Sequence, residues 1–193
     1  MDYRTRRLRL VLLTMFSVLC ACQKPPRSRA EAVGQMVQLQ ESGHYDDGVR
    51  IVEKWMDQHQ DDNSKDDFLH QQIAMVYISK AYHNQSTRDE SLDNAASHLE
   101  KALRIYAGKK PEEADIMLFN VGGAYEILGD LSKDKCSFFA KARALFNEEL
   151  PLIKGDSYTA YGHTTPLEPV RAEVRKHLAA VEQKYAQAGC STL

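Results

Sequence analysis

The chain lacks the features that mark several large classes of protein. It has one tryptophan, a formal net charge of −2, and no apolar run of the about 20 residues that a membrane-spanning helix needs. Without a clustered basic excess, nothing in it indicates a nucleic-acid partner. Its apolar content of 43% is enough to bury a core, which argues against disorder over the whole chain. These absences favour a globular protein over a polytopic membrane protein.

The motifs of catalytic and metal centres are also missing. The sequence contains no Cys-x-x-Cys pair and no His-Glu-x-x-His, and Gly155–Thr159 lacks the second glycine of a nucleophile elbow. The acidic stretch around His59 lacks the central glycine of a calcium loop. We therefore predict a protein that is not an enzyme, with no catalytic residue, metal site or cofactor. A weaker alternative is an enzyme built on Cys136 and a nearby histidine.

Residues 1–21 have the pattern of a secretory signal. Arginines at positions 4, 6, 7 and 9 form a basic start, and Leu10–Ala21 continues for twelve residues without a charge. That run is too short to span a bilayer and suits the apolar centre of a signal peptide. It ends in Leu19-Cys20-Ala21-Cys22, which resembles the lipobox of bacterial lipoproteins, with Cys20 where the family usually has Ala, Ser or Thr. An ordinary cleaved signal or an uncleaved anchor are the alternatives.

The lipoprotein resemblance implies cleavage before Cys22 and attachment of lipid to that residue. Two or more acyl chains would make a stable membrane anchor. Gln23, where Asp would favour retention in the inner membrane, implies the periplasmic side of the outer membrane. Residues 22–29 would then be a polar tether. Cys136 and Cys190 would remain, and an oxidising compartment would permit a disulfide, although the sequence leaves free thiols equally open.

From residue 30 onward the apolar residues recur with helical spacing, and no stretch alternates strongly enough to predict a strand. Met36, Ser79 and Gly122 are separated by 43 residues each time, at positions where neighbouring helices must approach closely. The same interval separates Leu39, Tyr82 and Tyr125. A helical hairpin repeated in this way must stack on its neighbours to bury its apolar faces.

One part of the chain carries a recognisable pattern. Val121-Gly122-x-x-Tyr125, then Leu128-Gly129-Asp130 and Phe139-x-x-Ala142, resembles the tetratricopeptide repeat (TPR). Over residues 30–150 the resemblance implies an all-α fold, a right-handed α-solenoid of about three TPR-like helix-turn-helix repeats. The interval exceeds the family's about 34 residues, so HEAT-like hairpins remain an alternative. Residues 151–193 are predicted to form a loop and a C-terminal capping helix, Pro166–Ala188.

In TPR arrays, the first helix of each pair lines a concave face that holds a partner peptide. The repeat register assigns nine residues to a partner-binding groove here: Val33, Val37, Gln40, Val76, Lys80, His83, Phe119, Gly123 and Glu126. Gly123 would leave room for a ligand backbone, and Phe119 would be an apolar anchor. The alternative is that the apolar members pack against their own neighbours.

The resemblances together predict a lipid-anchored, periplasm-facing scaffold that holds a protein partner in envelope assembly, secretion or pilus biogenesis. The alternative function is a binding module for a cell-wall or small-molecule ligand, in which Tyr158, Tyr161 and His163 would contact the ligand.

Overall fold

The computed structural model describes residues 24–59, 66–108, 117–160 and 163–190. The predicted signal peptide, Cys22 and Tyr161 lie outside the described residues. Within those residues the backbone is mostly helical, so the prediction of an all-α fold is confirmed at that level. The helices are α1 (Arg29–Glu41), α2 (Tyr45–Gln58), α3 (Asp67–His83), α4 (Arg88–Ala107), α5 (Met117–Leu131), α6 (Lys135–Glu149) and α7 (Glu168–Gln187), with a 3-10 turn at Gln85–Thr87 before α4.

Local chemistry explains where several helices begin and end. The side chains of Ser28, Asp66 and Asp134 each accept a hydrogen bond from a backbone N–H in the first turn of α1, α3 and α6. Gly43 follows α1 with a φ of 78°, a left-handed conformation that glycine adopts without strain. The chain can therefore reverse within the three residues between α1 and α2.

Consecutive helices pack as pairs. The closest packing joins α1 with α2, α3 with α4 and α5 with α6, and α7 packs mainly against α6. The third helix, α3, also contacts α1, α2 and α5. It is therefore the element that connects the first pair of helices to the rest of the protein.

The buried residues form two apolar clusters that meet at α3. Leu69, Ile73 and Val76 belong to the first cluster, which lies among α1, α2 and α3. Ala74, Ile78 and Ala81, on another side of the same helix, belong to the second cluster, which extends from α3 to α7. Tyr77 packs against both clusters.

The segment after α6 differs from its prediction. It is not only a loop, because Ser157–Ala160 and His163–Pro166 pair as a two-stranded antiparallel hairpin, β1 and β2. Pro166 lies in β2 rather than at the start of the last helix; Pro169 occupies the first turn of α7 instead. The hairpin carries no clear alternation of apolar residues, which is why the sequence pattern missed it. Among the described helices, none has the length and apolar character needed to cross a bilayer.

Glycines allow two helix pairs to approach closely. A Cβ placed on Gly48 of α2 would lie 3.0 Å from the Met36 carbonyl oxygen of α1, and one on Gly122 of α5 would lie 2.7 Å from the ring of Phe146 in α6. At Gly129 the added atom would collide with the buried ring of Phe139. These contacts agree with the expectation of close helix packing around Met36 and Gly122.

The close contact between Gly129 and Phe139 leads to a prediction about stability. We expect Gly129→Ala to lower the free energy of unfolding by about 1–3 kcal/mol, because the Phe139 ring must move within a filled core. The control is Gly34→Ala in α1, where an added Cβ meets no atom within 4 Å. That change should be neutral or raise stability by up to about 1 kcal/mol through helix propensity. Equal urea-denaturation midpoints for the two variants would contradict the close approach.

Candidate functional site: a groove between α3 and α5

A cavity of about 540 Å³ lies between α3 and α5 and is bounded at one end by α7. We refer to it as the groove. Its lining residues come mostly from two helices: Phe68, Gln71, Gln72 and Met75 from α3, and Phe119, Asn120, Gly123, Ala124, Glu126, Ile127 and Asp130 from α5, with Leu99 of α4 and His177 of α7.

The groove exposes large apolar side chains. Phe68 and Met75 are each 41% exposed and Ile127 is 38% exposed. These three are most of the large apolar side chains that the described residues leave exposed; the other two are Val37 and Tyr82. An apolar patch that lines a concave surface is typical of a binding site rather than of ordinary surface.

The amide side chains of Gln71, Gln72 and Asn120 lie among these apolar groups. Each amide offers both a hydrogen-bond donor and an acceptor, which are the groups that a peptide backbone also presents. The lining can therefore pair with polar atoms of an occupant through uncharged side chains.

A network of ionic hydrogen bonds holds the α7 end of the groove. Glu126 is only 8% exposed, and its carboxylate accepts hydrogen bonds from Lys184 Nζ and from His177 Nδ1, both at 2.8 Å. Lys184 Nζ also donates to Asp130 at 2.6 Å. Since an ionised carboxylate only accepts, Nδ1 of His177 is the donor in this hydrogen bond.

The network sets the charge states of its members. Burial alone would raise the pKa of Glu126, but the hydrogen bonds from Lys184 and His177 outweigh it and lower that pKa below its usual value. Burial would likewise lower the pKa of Lys184, but its bonds to Asp130 and Glu126 raise that pKa. At neutral pH the Glu126 carboxylate is therefore ionised and the Lys184 amine is protonated.

A disulfide also fastens α7 to the helix pair beside the groove. Cys136, at the start of α6, is bonded to Cys190, just after α7, with their Cα atoms 5.5 Å apart. The sequence left open whether these residues are bridged. In the structure, the disulfide attaches α7 to α6, and the Glu126 network attaches α7 to α5. The helix that carries His177 is therefore fixed to both helices of the last pair.

Three of the nine predicted groove residues line the observed groove. Phe119, Gly123 and Glu126 all lie on one face of α5 and contribute to its wall. A Cβ added at Gly123 would meet no atom within 4 Å, so the missing side chain leaves open space there. Phe119 also contacts neighbours, with its ring 5.4 Å from that of His177.

The structure places the other six predicted residues elsewhere. Val76 is 1% exposed in the first core cluster, and Val33 packs against the same cluster. Lys80 Nζ pairs with Asp46 of α2 at 2.6 Å. Val37 and Gln40 lie on α1 away from the groove lining, and His83 lies exposed at the end of α3.

The groove residues that the sequence did not predict include Met75, Ile127, Asp130 and His177. Met75 is next to the predicted Val76, and adjacent residues on a helix point about 100° apart. The interval of 43 residues that relates Phe119 to Val76 therefore selects the wrong side of α3. The ion-pairing pattern around Glu126 gave no local signal, because its partners are on α7.

A second cluster of titratable side chains lies on another side of α3. His70 Nδ1 and His98 Nδ1 are 3.0 Å apart between α3 and α4, and His98 Nε2 is 3.9 Å from Glu53 of α2. Burial, then the charge of Lys101, lowers the pKa of His70, and the same two causes together with His70 lower the pKa of His98 to about 4. Two imidazole nitrogens at this distance can share a hydrogen bond only if one of them is unprotonated.

In the parts of the chain that the structure describes, no group of three or more His, Cys, Asp or Glu side chains is arranged to hold a metal ion. The alternative ligand-binding loop is not described: Tyr161 lies outside the described residues, and only the backbone is described at Tyr158 and His163. No family model, curated protein or solved structure matches the chain.

The histidine pair generates a prediction about acid stability. As the pH falls, an unfolded imidazole binds a proton near pH 6.5, whereas folded His98 does so only near pH 4. The unfolded state therefore binds more protons in this window. As the pH falls from 6.5 to 4, the free energy of unfolding should decrease by on the order of 3 kcal/mol because of His98. No such loss is expected above pH 6.5.

We expect His98→Asn to reduce the slope of unfolding free energy against pH in that window, because the asparagine keeps a polar atom near His70 but does not titrate. Chemical denaturation at a series of pH values measures this slope. The control, His83→Asn, removes an exposed imidazole from the same part of the fold. An unchanged slope in the His98 variant would contradict the assignment.

Proposed function

We propose that the protein is a noncatalytic interaction scaffold whose groove between α3 and α5 binds a segment of another protein. The observation that carries the proposal is the exposure of Phe68, Met75 and Ile127 along one concave surface. Burying them against a partner would remove apolar surface from water at about 25 cal/mol per Å². A helical segment laid in an apolar groove is a recurrent mode of peptide recognition.

The pairwise packing of α1–α6, with α7 against the last pair, supports a TPR-like α-solenoid that α7 caps. The 43-residue interval in the sequence supports the same arrangement. In this proposal, the groove is part of the inner surface formed by the first helices of neighbouring pairs.

We propose further that the chain is a lipoprotein, anchored through Cys22 at the periplasmic side of the outer membrane. The basic start, the short apolar run and the sequence Leu19–Cys22 support this localisation. The Cys136–Cys190 disulfide suits an oxidising compartment. Envelope assembly, secretion and pilus biogenesis are the processes in which such a scaffold would act.

The groove can be tested by filling it. Gly123→Leu should block a partner without weakening the fold, because the added Cβ meets no atom and leucine favours a helix over glycine by about 1 kcal/mol. The control is Gly34→Leu, the same change at an open helical position outside the groove. Each full-length protein is expressed in its host, extracted in detergent and recovered with bound proteins for mass spectrometry.

We expect a stoichiometric partner with the wild type and with Gly34→Leu, and its loss by at least about tenfold with Gly123→Leu. Thermal denaturation checks that both variants remain folded. A partner recovered equally with all three proteins would show that the groove is not the binding surface, and no partner at all would count against the scaffold.

The lipid anchor has its own test. The intact mass of the membrane-extracted protein should correspond to a chain that begins at Cys22 and carries covalent lipid. Cys22→Ser should release the protein from the membrane fraction or stop its processing, whereas Cys20→Ser should not. A protein that begins at another residue without lipid would overturn the proposed anchor.

A further inference from the structure

The groove carries a charge imbalance at its α7 end. The charged or titratable residues in its lining are Glu126, Asp130 and His177, and no lysine or arginine of the described residues is among them. Lys184, from outside the lining, is shared between the two carboxylates. The lining itself therefore contributes two carboxylates and no lysine or arginine, and the two carboxylates share one lysine.

Asp130 is the carboxylate of the lining that remains accessible. Glu126 is buried and receives two hydrogen bonds, so its charge is already satisfied within the protein. The side chain of Asp130 is 47% exposed and has Lys184 as its ion-pair partner. An exposed carboxylate at the end of an apolar groove can accept a further hydrogen bond from a cation.

Nearby charges do not cancel this imbalance. Glu173 of α7 lies 3.5 Å from His177 Nε2 and is paired with Lys176, so the ammonium group of Lys176 is already engaged outside the groove lining. Arg29 of α1 lies over the ring of Phe68, another lining residue, and pairs with Asp66 at 2.9 Å. Arg29, Lys176 and Lys184 are therefore already paired with carboxylates, and the exposed charged side chain that lines the groove near α7 is Asp130.

We infer that the groove selects an amphipathic peptide segment whose apolar side chains cover Phe68, Met75 and Ile127 and whose lysine or arginine reaches Asp130. This inference rests on the proposed function and specifies the chemistry of its partner. An acidic segment of the same apolar pattern would be rejected by like-charge repulsion, and electrostatic complementarity of this kind sets specificity more than total affinity. An anionic lipid surface would be disfavoured for the same reason.

The test is a selection with a defined probe. Random sixteen-residue peptides displayed on phage are selected on the full-length chain, kept oxidised and held in nanodiscs of neutral phosphatidylcholine. Binders to empty nanodiscs are discarded, and so are peptides that bind the Gly123→Leu protein as well as the wild type. The remaining peptides require an open groove, and sequencing gives their content of basic and acidic residues.

We expect basic residues to exceed acidic residues among these peptides by at least about threefold relative to the unselected library. With Asp130→Lys the excess should disappear or reverse, because the end of the groove then carries positive charge. The matched control is Asp93→Lys, the same change at an exposed site on α4 that does not line the groove. For a single synthetic binder, replacing its lysine by glutamate should weaken binding about tenfold to the wild type but not to Asp130→Lys.

The outcomes separate this inference from the proposed function. Groove-dependent peptides without a basic excess, or an excess unchanged by Asp130→Lys, would overturn the charge selection and leave the groove as a binding site. A selection that yields no groove-dependent peptide would overturn the inference. The partner-recovery experiment with Gly123→Leu then decides the scaffold function independently.

Discussion

The fold depends on the burial of α3 on two sides. Leu69 and Ile73 face the cluster shared with α1 and α2, whereas Ala74 and Ile78 face the cluster that continues through α4 to α7. A helix that is apolar on both sides must have neighbours on both sides, or it leaves a large apolar surface in water. The first helix pair and the remaining helices therefore stack against α3, and the strip of α3 that neither side covers becomes one wall of the groove.

This same property limits what the sequence can predict. Helix pairs were predictable because turns, caps and apolar spacing are local, and the glycines of α5 indicated close packing. On α5 the predicted residues Phe119, Gly123 and Glu126 do line the groove, since that helix presents them on one face. On α3 almost every side is apolar, so periodicity does not distinguish Met75, which faces the groove, from Val76, which is buried. Subtracting the repeat interval from a groove residue of α5 therefore does not identify which side of α3 faces the groove.

Other features depend on contacts between distant parts of the chain. Glu126 and Lys184 are separated by 58 residues, Cys136 and Cys190 by 54, and His70 and His98 by 28. No local spacing relates the members of these pairs, because each pair depends on how two helices pack. The sequence supplied Cys136 and Cys190 as candidates by counting cysteines, whereas the partners of Glu126 required the position of α7.

The position of α7 connects stability with recognition. A buried carboxylate such as Glu126 is tolerated only with close ionic partners, because removing a charge from water is costly. Lys184 and His177 supply those partners and thereby hold α7 against α5 at the end of the groove. The same lysine must also serve Asp130, whose side chain is 47% exposed. The interaction that holds α7 against α5 therefore also includes an accessible carboxylate of the groove lining, which is the physical basis for expecting a basic partner segment.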